Sequence, residues 1–108
     1  ARPAVGKSLG NNQGIFLMSK RLNLKIYGRV QGVFFRDSVR RRAKKLDLVG
    51  SAVNQKDGTV QVIAEGQEEN LKQLIKWCYN GPILARVDKI DIDWQEATGQ
   101  FDKFEIKY

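Results

Sequence analysis

The spacing of apolar residues changes period repeatedly between Lys20 and Ile106, and that succession leaves few folds open. Leu22, Leu24 and Ile26 alternate with Arg21, Asn23 and Lys25, the period of a half-buried strand. Val39, Ala43 and Leu46 then recur at helical spacing, with Arg40, Arg41, Lys44 and Lys45 opposite them. Ala52 to Gln55 reads as a second strand, and Asp57-Gly58 as a two-residue type I′ hairpin turn. Val60, Val62 and Ala64 alternate up to Gly66. Leu71, Leu74, Ile75 and Cys78 mark a second helix, with Glu68 and Glu69 in its first turn, where the dipole favours anions. Gly81-Pro82 ends it. Ile90, Ile92 and Trp94 alternate as a fourth strand, and Phe104 and Ile106 form a short fifth. The order β-α-β-β-α-β with a terminal β predicts an α+β, ferredoxin-like (split β-α-β) sandwich. Its antiparallel sheet of four to five strands carries both helices on one face.

A chain of 108 residues has room for one such core. It contains no His and a single Cys, Cys78. A Ser-His-Asp mechanism is thereby excluded, an intrachain disulfide is impossible, and a zinc or iron–sulfur site is disfavoured. The lone cysteine, the lack of a secretory leader and the absence of a long apolar run point to a cytoplasmic protein without a membrane partner. Cys78 falls on the apolar stripe of the second helix and reads as a core residue. The net charge of +7 suggests an anionic partner. Residues 1–17 carry Arg2 and Lys7 and no acid, so 17 basic and 12 acidic groups remain beyond them. Met18-Ser19-Lys20 reads like a native start. Residues 1–17 are accordingly expected to be a flexible leader or expression remnant, and 18–108 the domain.

The chemistry concentrates in Gly28-Arg29-Val30-Gln31-Gly32-Val33-Phe34-Phe35-Arg36, between the first strand and first helix. A loop turning from a strand into a helix start directs unpaired backbone N–H groups at one place, and the positive end of the helix dipole lies there too. Such a concavity binds phosphate. The N–H groups of Gln31, Gly32, Val33, Phe34, Phe35 and Arg36 are its candidate donors. Gly32 would admit close approach, and the Arg36 guanidinium would grip two phosphate oxygens. On pattern alone the loop is also compatible with a plain turn, since it matches neither the Walker loop nor the dinucleotide fingerprint. Phe34 and Phe35 read as core packing. An Asn such as Asn54, just before a hairpin, is ordinarily a turn residue.

The same nine residues, 28–36, resemble the acylphosphatase signature throughout. The similarity continues through Ala43-Lys44-Lys45-Leu46-Asp47-Leu48-Val49-Gly50, Asn54, Asp57-Gly58-Thr59-Val60, Ala64-Glu65-Gly66, Gly81-Pro82 and Phe101 to Phe104. Four positions depart from that pattern: Ser51 where an aromatic residue is common, Asp47 where Gly is common, and the pair Ala52-Val53, which replaces one that usually ends in Lys or Arg before the asparagine. The resemblance implies hydrolysis of carboxyl-phosphate anhydrides to a carboxylate and inorganic phosphate, by a small free-standing enzyme needing no metal or other cofactor. Asn54 falls at the family's essential asparagine, so the implied catalytic pair is Arg36 for the phosphoryl group and Asn54 for the attacking water. The residue content suits that reaction, because a carboxylate leaving group with a pKa near about 4 needs no general acid. The expected partners are a small acyl phosphate and inorganic phosphate, met by a monomer.

An RNA-binding module is the competing reading, prompted by the basic run Arg40-Arg41-Arg42-Lys44-Lys45. The sheet shows no aromatic residues placed for base stacking, and a solvated helix face explains the run more simply.

Overall fold

The expected order of elements is the order observed. In a computed structural model that describes residues 19–108, the chain forms β1 (Ser19–Arg29), α1 (Phe35–Lys45), β2 (Val49–Asn54), β3 (Val60–Gln67), α2 (Glu68–Asn80), β4 (Arg86–Glu96) and β5 (Phe104–Lys107). The predicted leader, residues 1–17, lies outside the described residues.

The five strands form one sheet in the order β4-β1-β3-β2-β5. β1 pairs antiparallel with β3, placing Leu22 opposite Ala64, Leu24 opposite Val62 and Ile26 opposite Val60. All six are fully buried. Phe35, Val39 and Ala43 of α1 and Leu71, Leu74 and Cys78 of α2 close the core from one face. Each large apolar side chain buried this way contributes about 1.5–3 kcal/mol. The fold is the ferredoxin-like α+β sandwich.

Four local expectations need correction. The sheet is mixed rather than wholly antiparallel, because β5 runs parallel to β2, with Gly50 opposite Phe104 and Ala52 opposite Ile106. Direction dictates this. The connection after β4 reverses the chain, and β4 runs against β1, so β5 shares the direction of β1 and β2.

The hairpin after β2 is not a type I′ turn. Asp57 has no positive φ, and Gly58 alone in the turn does, at 90°. Gly58 N–H bonds to Gln55 O (3.1 Å) and Gln55 N–H to Thr59 O (2.8 Å), the pattern of a type I turn followed by a glycine bulge. The Asp57 carboxylate accepts from both the N–H and the hydroxyl of Thr59 and pairs with Lys25. Those bonds, that from the Thr59 hydroxyl foremost, hold its pKa down to about 2.

On β4, Ile90 is buried but Ile92 and Trp94 are not, because β4 is an edge strand that the helices only partly cover. Arg40, expected on the solvated face of α1, is only part-exposed, whereas Arg41, Arg42, Lys44 and Lys45 are exposed.

The passage from α1 to β2 shows what Asp47 costs. Leu48 N–H bonds to Ala43 O and Asp47 N–H to Lys44 O, the two bonds of a Schellman cap. Such a cap needs a left-handed residue after the helix, and Asp47 supplies it at φ 57°. Glycine takes that conformation without penalty, whereas another residue pays roughly 1–2 kcal/mol, asparagine and aspartate less.

Candidate active site

The loop from Val30 to Phe34 is anchored by what it buries. Val30 and Val33 sit in the core, and Phe35 fills the space beneath α1, its ring 6.1 Å from that of Trp77. Between them Gly32 turns the backbone at φ 74°, and a Cβ there would meet nothing within 4 Å. Conformation, not crowding, therefore selects glycine at this position.

Phe34 occupies the N-cap of α1 in left-handed conformation (φ 64°, ψ 25°) and offers no side-chain acceptor. Helices are ordinarily capped by Ser, Thr, Asp or Asn, whose oxygen satisfies one of the first N–H groups. Here the first helical bond runs from Ser38 N–H to Phe34 O (3.0 Å). The N–H groups of Phe35, Arg36 and Asp37 precede it and have no partner within the helix. A helix start without a cap, entered through a glycine turn, is receptive to an anion.

Beside this helix start opens a cavity of about 390 Å³, lined by Gly32, Phe34, Phe35, Arg36, Asp37, Arg40, Asn54, Ile106 and Tyr108. Arg36 is held from the far end of the chain. Its Nη1 donates to Lys107 O (3.0 Å), and its guanidinium carbon lies 4.7 Å from the centroid of the Tyr108 ring. That fixes the plane of the guanidinium and leaves its other N–H groups for a ligand.

Asn54, the last residue of β2, places its side chain at the same cavity, where its Oδ1 is buried and accepts no hydrogen bond from the described residues. Native proteins rarely leave a buried acceptor unpaired, because doing so costs about 1–3 kcal/mol. Asp37 brings a carboxylate to the wall, but Arg40 and Arg41 both pair with it, the latter at 2.8 Å. Arg36 thus carries positive charge toward the cavity without a carboxylate partner among the described residues.

Five of the seven residues singled out in the sequence meet at this cavity: Gly32, Phe34, Phe35, Arg36 and Asn54. Gln31 and Val33 do not line it. Val33 is buried in the core. The Gln31 side chain turns the other way, donating through Nε2 to Gln55 O (2.8 Å) and Thr59 O (2.9 Å), so it ties the loop to the hairpin that follows Asn54.

Phe34, expected to pack in the core, is instead 75% exposed, because its left-handed backbone turns the side chain outward. Asp37, Arg40, Ile106 and Tyr108 were not foreseen at the site. For Arg40 a signal existed, since it lies one helical turn beyond Arg36. Cys78 behaves as predicted. Burial pushes its thiol up to about 12, which keeps it protonated and inert. No cluster of metal-binding side chains occurs among the described residues.

The fold and site together define a small α+β enzyme class: a ferredoxin-like sandwich with an anion-receptive strand-to-helix loop, two arginines, one of them paired to a carboxylate, and one amide with a buried oxygen at a shared cavity. The Acylphosphatase family model matches residues 22–106. An acylphosphatase of Salinibacter ruber is 44% identical over 88 residues, covering 82% of this chain and 93% of that protein. One from Thermococcus kodakarensis is 48% identical over 79 residues, covering 73% and 87%. The crystal structure of the Bacillus subtilis acylphosphatase superimposes with a TM-score of 0.80 at 32% identity, covering 82% of this chain and 99% of that one. The chain belongs to the acylphosphatase family. It is a hydrolase of acyl phosphates, releasing a carboxylate and inorganic phosphate.

Proposed function

We propose that Arg36 and the N–H groups at the start of α1 hold the phosphoryl group, and that Asn54 orients the attacking water. The observation that carries this reading is the unpaired, buried Asn54 Oδ1 in the cavity that Arg36 enters. A water seated there would donate one O–H to Oδ1, satisfying it and aiming an oxygen lone pair at the phosphorus. Attack forms the new P–O bond as the bond to the acyl oxygen breaks, and the carboxylate departs with the electron pair. An amide is too weak a base to take the proton, which passes to a phosphoryl oxygen. Catalysis then rests on position and fixed charge rather than on a titrating side chain.

Hydrolysis of benzoyl phosphate, followed by ultraviolet absorbance with EDTA present, tests the assignment. Arg36→Ala and Asn54→Ala are each expected to lose about a hundred- to thousandfold in kcat with the fold intact. Near-normal turnover by either variant refutes the role given to that residue.

The remaining reading is of a monomeric, metal-independent cytoplasmic enzyme that does not use nucleic acid. The open sheet face supports the last point. Its polar side chains bond to one another, Gln55 to Gln61 and Gln61 to Asn23. Its aromatic Tyr27 donates to Asp91 and lies between Lys25 and Lys89. No stacking platform results. Among the described residues, no helix is long and apolar enough to cross a membrane.

A further inference from the structure

Phe34 is placed at a cost that packing does not repay. A bulky residue at φ 64° is an outlier, since left-handed backbone crowds its Cβ, and residues so held cluster at functional sites. Its ring is 75% exposed and lies at the rim of the cavity that receives the phosphoryl group. Tyr108 stands at the same rim, 96% exposed, with one ring face over Arg36. Ile106 lines the wall before it. Cationic groups around the cavity are less available to an acyl chain. Arg40 is paired with Asp37, and Arg36 is assigned to the phosphoryl group.

We propose that Phe34, Tyr108 and Ile106 form the subsite for the acyl group, and that this subsite selects aromatic or bulky apolar acyl phosphates over small or doubly charged ones. The inference rests on the phosphate reading given above. With the phosphoryl group at the helix start, the acyl oxygen leaves toward the open mouth, where two exposed rings and an aliphatic side chain supply apolar contact. An aryl acyl group loses hydration there and gains ring contacts, each pair contributing two- to tenfold in binding. A methyl group offers too little apolar surface to contact both rings, and a second carboxylate would lose hydration against them, with Arg40 already paired to Asp37 and Arg36 assigned to the phosphoryl group.

The test compares kcat/KM for benzoyl, acetyl and succinyl phosphate in the parent, in Phe34→Gly, which suits the left-handed backbone, and in Tyr108→Leu. The parent is expected to favour benzoyl phosphate over both others. The benzoyl-to-acetyl ratio is expected to fall about three- to tenfold in each variant. A ratio within twofold of the parent in both variants overturns the subsite, as does a parent that favours succinyl phosphate. Arg36→Ala, assayed alongside, separates the failures. If it is inactive while the ratios stay flat, the acyl subsite is wrong and the phosphate site stands; if it is active, the phosphate reading itself falls.

Discussion

Replacing Asn54 by alanine should make the protein more stable while nearly abolishing its activity. Oδ1 of Asn54 is buried with no donor among the described residues, and ordering the water that satisfies it costs up to about 2 kcal/mol in the folded protein and nothing in the unfolded chain. Alanine removes that cost. It also removes some half-buried side-chain contact, at most about 1 kcal/mol, so the expected net gain is about 1 kcal/mol. For a domain of this size that is a rise in Tm of about 4–8 °C. Urea melts of parent and variant measure the first quantity, and benzoyl phosphate hydrolysis the second, with kcat expected to fall a hundred- to thousandfold.

Inorganic phosphate adds a third reading. At about a hundred times its Kd it should stabilise both parent and Asn54→Ala by about 2.7 kcal/mol, because the amide faces water rather than the phosphoryl group. Arg36→Ala should lose that stabilisation. If Asn54→Ala is destabilised by more than about 1 kcal/mol, the amide is a structural link. The argument from an unpaired acceptor then fails.

Two further outcomes concern residues away from the cavity. Glu65 is buried and accepts from Arg21, from the N–H and hydroxyl of Thr98, and from Gly99 N–H. Burial alone would raise its pKa, but the bonds from Gly99, Thr98 and Arg21 together outweigh it and the net shift is downward. A carboxylate depressed in the folded state contributes stability above its unfolded pKa of about 4.3, and that contribution fades as pH falls through the lower folded value. Glu65→Gln should therefore cost about 1.5–3 kcal/mol near pH 7 and flatten the acid limb of a stability–pH curve; an unchanged limb would contradict the assignment. Asp47→Gly should gain about 0.5 kcal/mol in urea melts by relieving the left-handed backbone, and a loss instead would show that the aspartate side chain outweighs the strain.

Much of this architecture is legible in the order of residues because it rests on local periodicity. The alternations around Leu24 and Val62 and the helical stripe through Leu74 report directly which side of each element is dry. The unforeseen features depend on information that no local window holds. Phe34 and Phe35 are the same residue side by side, yet one is exposed and one buried, because a left-handed turn at Phe34 redirects the chain between them. Asp57 kept φ negative because a type I turn needs only the glycine to cross over.

The direction of β5 is the misreading that matters most for the site. β1 and β2 both run against β3, so they share one direction, and β5 runs parallel to β2. Three strands therefore end at the same edge of the molecule: β1 in the Val30–Phe34 loop, β2 in Asn54, and β5 in the residues that hold Arg36. An antiparallel fifth strand would carry Lys107 and Tyr108 to the opposite end of the sheet, leaving the Arg36 guanidinium without its carbonyl partner and its stacked ring. The convergence of three C-terminal strand ends beside a helix start makes a cavity of what would otherwise be a glycine turn and a surface arginine.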